Sequence, residues 1–216
     1  MNSAMFCGLF AFALCLFVAC SRWGARKKHS GAEINRQADE SGAPADERAK
    51  IEACIGEIVD LIAEKIGNQE RQVNPRDAIL CSGNLIGMFM FLSFDLKYQE
   101  LEPGSVLLSD EANSLGPKII SRLLHELDAY GIKIDSTASP VVYESPLTYL
   151  DMLGRTQNDA IEIMRKYGFD CRQAMIICTS AAAFIIQNVR AGVDANEGVG
   201  IATYGIIQGS KTVPYK

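Results

Sequence analysis

The chain has 216 residues, 48% of them hydrophobic, with 21 Lys+Arg against 26 Asp+Glu and a net charge of −5. This composition excludes disordered, collagen-like and purely coiled-coil chains, and the length suits one modest domain with an appendage. Four of the basic residues, Arg22, Arg26, Lys27 and Lys28, fall within seven positions. Without them the remainder holds 17 basic against 26 acidic residues. Such an acidic body lacks the positive surface that neutralises phosphates, so nucleic acid is not an expected partner.

The N-terminus carries the strongest signal. Residues 1–21 contain no charged side chain, and 17 of the first 20 are hydrophobic. The run Ala4–Cys20 would span about 25 Å as a helix, short for a transmembrane segment and long for a signal-peptide core. One reading is a signal anchor. The four basic residues behind the run, including Arg22 and Lys28, resist translocation and favour a single pass with the body on the cytoplasmic side. Trp23 is then suited to the interface, and the basic cluster to anionic lipid.

The other reading starts from Leu16-Phe17-Val18-Ala19-Cys20, which resembles a bacterial lipobox. That resemblance implies cleavage before Cys20, a lipid on Cys20 and an extracytoplasmic body. Phe17 stands where the pattern has Leu, Val or Ile, and no basic residue precedes the run. Both readings make the protein membrane-associated. They divide the chain into a signal segment at 1–21, a basic and then polar linker at 22–45, and a helical domain at 46–216. The stretch His29–Ala45 is small, polar and aperiodic, a tether with a random-coil reach of about 20–25 Å.

From Asp46 onward the pattern predicts an all-α bundle of about six helices. Ile51, Cys54, Ile55, Ile58, Val59, Ile62 and Ile66 lie at the i, i+3, i+4, i+7 spacing of one apolar face, and Gly67 supplies a stop. Asn74-Pro75-Arg76-Asp77 reads as an N-cap, a proline at N1 and an acid in the first turn. Ser109 or Ser114 caps the next helix, whose buried face holds Ile119, Ile120, Leu123, Leu124 and Leu127, ending at Gly131. After a loop holding Pro140 and Pro146, Thr156-Gln157-Asn158-Asp159 resembles a capping box, and that helix stops at Gly168. Asp170 caps a further helix expected to run to Gly192.

The related ends Tyr130-Gly131-Ile132 and Tyr167-Gly168-Phe169 are read as two Schellman caps rather than a duplicated fold. In the tail, Gly205 and Gly209 have the small-xxx-small spacing that permits close helix approach. A glycine-rich helix from about Asn196 is preferred there over a short β-hairpin bent at the same glycines.

Two windows, 78–94 and 173–189, are uncharged. Both hold polar residues that hydrocarbon would leave unsatisfied, so they are expected as central helices of the bundle rather than membrane spans.

Little in the sequence carries chemistry. There is no HExxH, CxxC, P-loop or dinucleotide fingerprint. With only two histidines, a His-based centre is not expected. No cofactor and no metal are expected, and no catalytic residue is assigned. His125, in mid-helix beside Glu126, reads as a surface or half-buried residue. Cys171, at a helix start beside Asp170 and Arg172, is the one thiol whose position would lower its pKa. Cys54, Cys81, Cys171 and Cys178 read as free packing thiols of a reducing compartment, with two disulfides in any of three connectivities as the alternative.

The expected function is therefore a membrane-tethered, non-enzymatic protein-interaction domain of an envelope or secretion-type assembly. The partner is unspecified, and Ile206, Ile207, Val213 and Tyr215 form a candidate surface. The alternatives are an accessory or immunity-type lipoprotein acylated at Cys20, and a ligand-binding or enzymatic bundle using His125, Cys171 or buried acids.

Overall fold

The computed structural model describes residues 45–67, 72–135 and 141–216, and these form six α-helices. They are α1 (Ala45–Ile66), α2 (Pro75–Leu92), α3 (Asp110–Ala129), α4 (Tyr149–Tyr167), α5 (Cys171–Asn188) and α6 (Ala195–Lys211). The expected anchor, lipobox and linker fall on residues 1–44, outside the described residues, as do Cys20, Arg22, Arg26, Lys27 and Lys28.

Helix α2 is the axis of the bundle. Every residue from Asp77 to Phe91 is buried, as expected for a segment apolar all round. It packs most extensively against α6 and then α5, with α4 and α1 completing its surround. No single helix among the described residues is long and apolar enough to cross a membrane. The uncharged windows accordingly sit as α2 and α5, each lined with buried residues.

Helices α2 and α6 run parallel. Arg76 meets Glu197 near their N-termini, Gly83 meets Ala202 further along, and Gly87 meets Gly209 near the other end. This seam has almost no side chains. A Cβ built on Gly87 would stand 2.6 Å from the Ser210 nitrogen, and one on Gly209 would stand 2.6 Å from the Asn84 carbonyl oxygen. The Gly83-xxx-Gly87 stripe of α2 thus lies on the Gly205-xxx-Gly209 stripe of α6. Absent side chains let the two backbones touch, which no larger residue permits.

Local signals set most helix ends. Asn74 caps α2, its Oδ1 accepting from the Arg76 N–H at 3.0 Å. Ser109 caps α3. Gly131 and Gly168 are left-handed, at φ 72° and 77°. Ile132 N donates to the Leu127 oxygen at 3.0 Å and Phe169 N to that of Met164 at 2.9 Å, the six-to-one bonds of a Schellman motif. The glycines of 198–209 lie within helix α6, which Asp194 caps.

Two expected boundaries differ. Helix α4 begins at Tyr149 rather than near Thr156, with Thr148 and Asp151 forming the reciprocal capping box. The earlier start buries Tyr149, Met152 and Leu153, and that apolar gain outweighs the second cap signal seven residues later. Thr156 is instead fully buried in mid-helix, its hydroxyl donating to the Met152 carbonyl at 2.8 Å. Helix α5 stops at Asn188, and turns carry the chain through Gly192.

Candidate interaction surface

The polar constellations of the body are mostly closed on themselves. Across the parallel N-termini of α2 and α6, Arg76 Nε donates to Glu197 Oε1 at 2.6 Å and Nη2 to Oε2 at 3.1 Å, a bidentate clamp. Beside it Ser145 Oγ donates to Asp77 Oδ1 at 2.7 Å and Asn74 Nδ2 to the Tyr143 hydroxyl at 3.1 Å. These bonds fasten the segment before α4 to the start of α2. Asp77, the buried acid of the core, is therefore occupied in holding a chain crossing.

Between α1 and α4, Glu57 Oε1 accepts from Lys166 Nζ at 2.6 Å and from the Tyr167 hydroxyl at 2.7 Å. The Lys166 bond, joined by that of Tyr167, holds the Glu57 carboxyl below the usual carboxylate range. An open groove of about 240 Å³ lies alongside, lined by Glu57, Asp60, Glu64, Lys65 and Asp159 among others. Lys65 and Asp159 pair across it at 2.9 Å.

The sequence-selected chemical residues do not converge. His125 is exposed on α3. Cys171 is half-buried, and its thiol is raised by desolvation and by Asp170. This reverses the expected lowering: loss of water and a neighbouring anion both disfavour thiolate, and they outweigh the helix N-terminus. Burial pushes Cys54 and Cys81 up to about 12 and raises Cys178 well above the ordinary thiol range. All four body thiols are free. No group of three His, Cys, Asp or Glu among the described residues is arranged to hold a metal ion.

The tail is where the structure departs most from a free surface. Ile206 and Val213 are buried, at 1% and 0% exposure, whereas Ile207 and Tyr215 are 39% and 38% exposed. Val213 fills the core because the chain beyond α6 is docked along its main chain. Gln157, itself 4% exposed, donates from Nε2 to the Tyr215 oxygen at 2.8 Å and accepts from the Tyr215 nitrogen at 3.0 Å. The Tyr149 hydroxyl reaches the Thr212 oxygen at 3.4 Å, and Lys216 Nζ donates to the Gln99 oxygen at 2.6 Å.

The tail's other partner is the segment just before α3. Leu107 N donates to the Lys211 oxygen at 2.7 Å, Val213 N to the Ser105 oxygen at 2.9 Å and Gly104 N to the Val213 oxygen at 2.9 Å. These bonds bracket an antiparallel bridge between Val106 and Thr212. The outer side of this short ladder carries Val106 at 70% exposure and Leu108 at 72%. They are the most exposed large apolar side chains among the described residues, and they share one face of an extended segment.

Sequence reasoning missed Val106 and Leu108. The stretch between Pro103-Gly104 and the Ser109 cap shows no periodicity that assigns Val106 and Leu108 a side, and only the docked tail decides which side faces out. No protein-family model matches the chain, and no curated protein or solved structure is significantly similar to it.

Proposed function

We propose that this chain is a membrane-tethered helical domain that docks a protein partner without catalysing a reaction. The observation that supports this reading is the pair Val106 and Leu108, 70% and 72% exposed on a segment held in place by bonds to the tail. Apolar groups kept rigidly in water are costly unless a partner covers them. The tether rests on the uncharged run Ala4–Cys20 and the basic cluster Arg22–Lys28 that follows it.

The test is a photo-crosslinking residue at Leu108, with exposed Glu52 as the control position, in the source cell. A discrete protein adduct from Leu108 alone, in the membrane fraction, is expected. A chain recovered wholly in the soluble fraction, or no adduct at Leu108, overturns the reading.

The sequence Leu16–Cys20 favours a second form of the tether, a lipid on Cys20. An intact mass of residues 20–216 plus diacylglycerol supports the lipoprotein form. A full-length mass supports the signal anchor and removes acylation.

A further inference from the structure

Antiparallel geometry fixes which way each peptide group of the segment Ser105–Leu108 points. Leu107 N and the Ser105 oxygen face the tail, where they bond to the Lys211 oxygen and to Val213 N. The residue between them, Val106, belongs to a non-hydrogen-bonded pair with Thr212, so its own N–H and C=O point to the opposite side. Among the described residues nothing pairs with them. The segment is thus a strand with one hydrogen-bonding edge filled and the other open, and one of its faces carries the exposed side chains of Val106 and Leu108 at alternate positions.

The charge around this edge selects its occupant. Glu102 lies at one end, and Asp110 and Glu111 at the other, all three exposed. A second copy of the segment, laid antiparallel about Val106, would bring the acids that flank it near the same acids of its partner, and like charges repel. An extended segment with Lys or Arg at both ends and apolar residues between meets the acids instead. The protein already seats such a segment on the inner side: Lys211-Thr212-Val213-Pro214-Tyr215-Lys216 has a lysine at each end and buries Val213 completely.

We infer that the outer edge of Ser105–Leu108 is a β-augmentation site for an extended partner peptide with basic ends around alternating apolar residues. This rests on the protein-docking reading above and names the form of the partner. The peptide exchanges two hydrogen bonds with Val106, the main-chain grip of strand addition, and covers Val106 and Leu108 with its own apolar side chains. The left-handed Gly104 and the Ser109 cap limit the site to four residues. Affinity in isolation is therefore modest, and a tether raises it by effective concentration.

The experiment measures amide exchange of the full 216-residue chain in mild detergent, with and without the blocked synthetic peptide Lys-Thr-Val-Thr-Val-Lys. At saturation, exchange at the Val106 amide is expected to slow about tenfold or more. The effect should vanish with a peptide N-methylated at its central residues, with Glu in place of both lysines, and in Leu108→Asp, which alters an exposed side chain and leaves the core alone. Unchanged exchange at Val106, equal protection by the acidic peptide, or protection by phosphatidylglycerol vesicles without peptide each overturns the inference. A partner adduct at Leu108 together with unprotected Val106 removes strand addition and leaves the docking function standing. Protection at Val106 with no adduct in cells does the reverse.

Discussion

Gly87 on α2 lies directly against Gly209 on α6: a Cβ added to Gly87 would stand 2.7 Å from the Gly209 Cα and 2.5 Å from the Ile206 carbonyl oxygen. Every obstructing atom is backbone, so no side-chain rotation relieves the clash. The seam therefore dictates both the distance between these helices and the placement of the tail that follows α6.

Gly87→Ala is accordingly expected to destabilise the domain by about 1–3 kcal/mol or more, the range of an overpacked core with displaced backbone. Gly56→Ala, at a helical site where a Cβ meets nothing within 4 Å, should instead stabilise by up to about 1 kcal/mol. Urea unfolding midpoints of the two variants check the contrast. Similar shifts in both would remove the close-packed seam.

Gln157→Ala removes both bonds to the Tyr215 main chain and leaves the tail groups to find water. A loss of about 1–3 kcal/mol is expected, together with faster trimming of residues 213–216 by carboxypeptidase. If trimming is unchanged, the tail is held without Gln157, by Val213 burial, the bonds to Gly104–Leu107 and the Lys216 bond.

The Glu57 carboxyl, held low chiefly by the Lys166 hydrogen bond, gives a pH signature with a defined sign. Its folded pKa lies below the ordinary glutamate value of 4.5. The stabilisation is thus complete above that value and is lost as pH falls through the folded pKa. Glu57 is 36% exposed, so solvent screening keeps the effect under about 1 kcal/mol. Asp151 and Asp194 are lowered in the same direction, so the wild type alone does not isolate Glu57. Glu57→Gln should lose stability less steeply on acidification than the wild type, and parallel unfolding-midpoint curves would count against the pairing.

Thiol accessibility should split the four body cysteines. Mass-mapped alkylation of the folded chain near neutral pH is expected to label half-buried Cys171 slowly. Cys54, Cys81 and Cys178, all buried, should stay unlabelled because burial suppresses both thiolate and access. Labelling of Cys178 in the folded state would contradict its place in the core.

Short-range signals gave the helices their number, type and most of their ends. Asn74-Pro75, Ser109, Gly131, Gly168 and Asp170 each act through bonds to residues a few positions away, which the sequence displays directly. Periodicity likewise marked Ile58, Ile62, Leu123 and Leu127 as buried. It failed where two local signals competed: Thr148 and Thr156 both resemble caps, and burial of Tyr149, Met152 and Leu153 decides between them.

What the sequence by itself determined is the helical character of the described body, the uncharged windows that became α2 and α5, and the small-residue spacing of Gly205 and Gly209 in α6, because these depend on local hydrogen bonding and patterning. That Gly83 and Gly87 face Gly205 and Gly209 was left to the tertiary structure, since more than a hundred residues separate the stripes and either suits other partners. The same holds for the surface. Ile206 and Val213 are as apolar as Val106 and Leu108, and composition does not distinguish them. Ile206 is buried where α6 packs on α2, while the capture of the tail main chain by Gln157 and Ser105–Leu107 turns Val213 inward and leaves Val106 and Leu108 exposed.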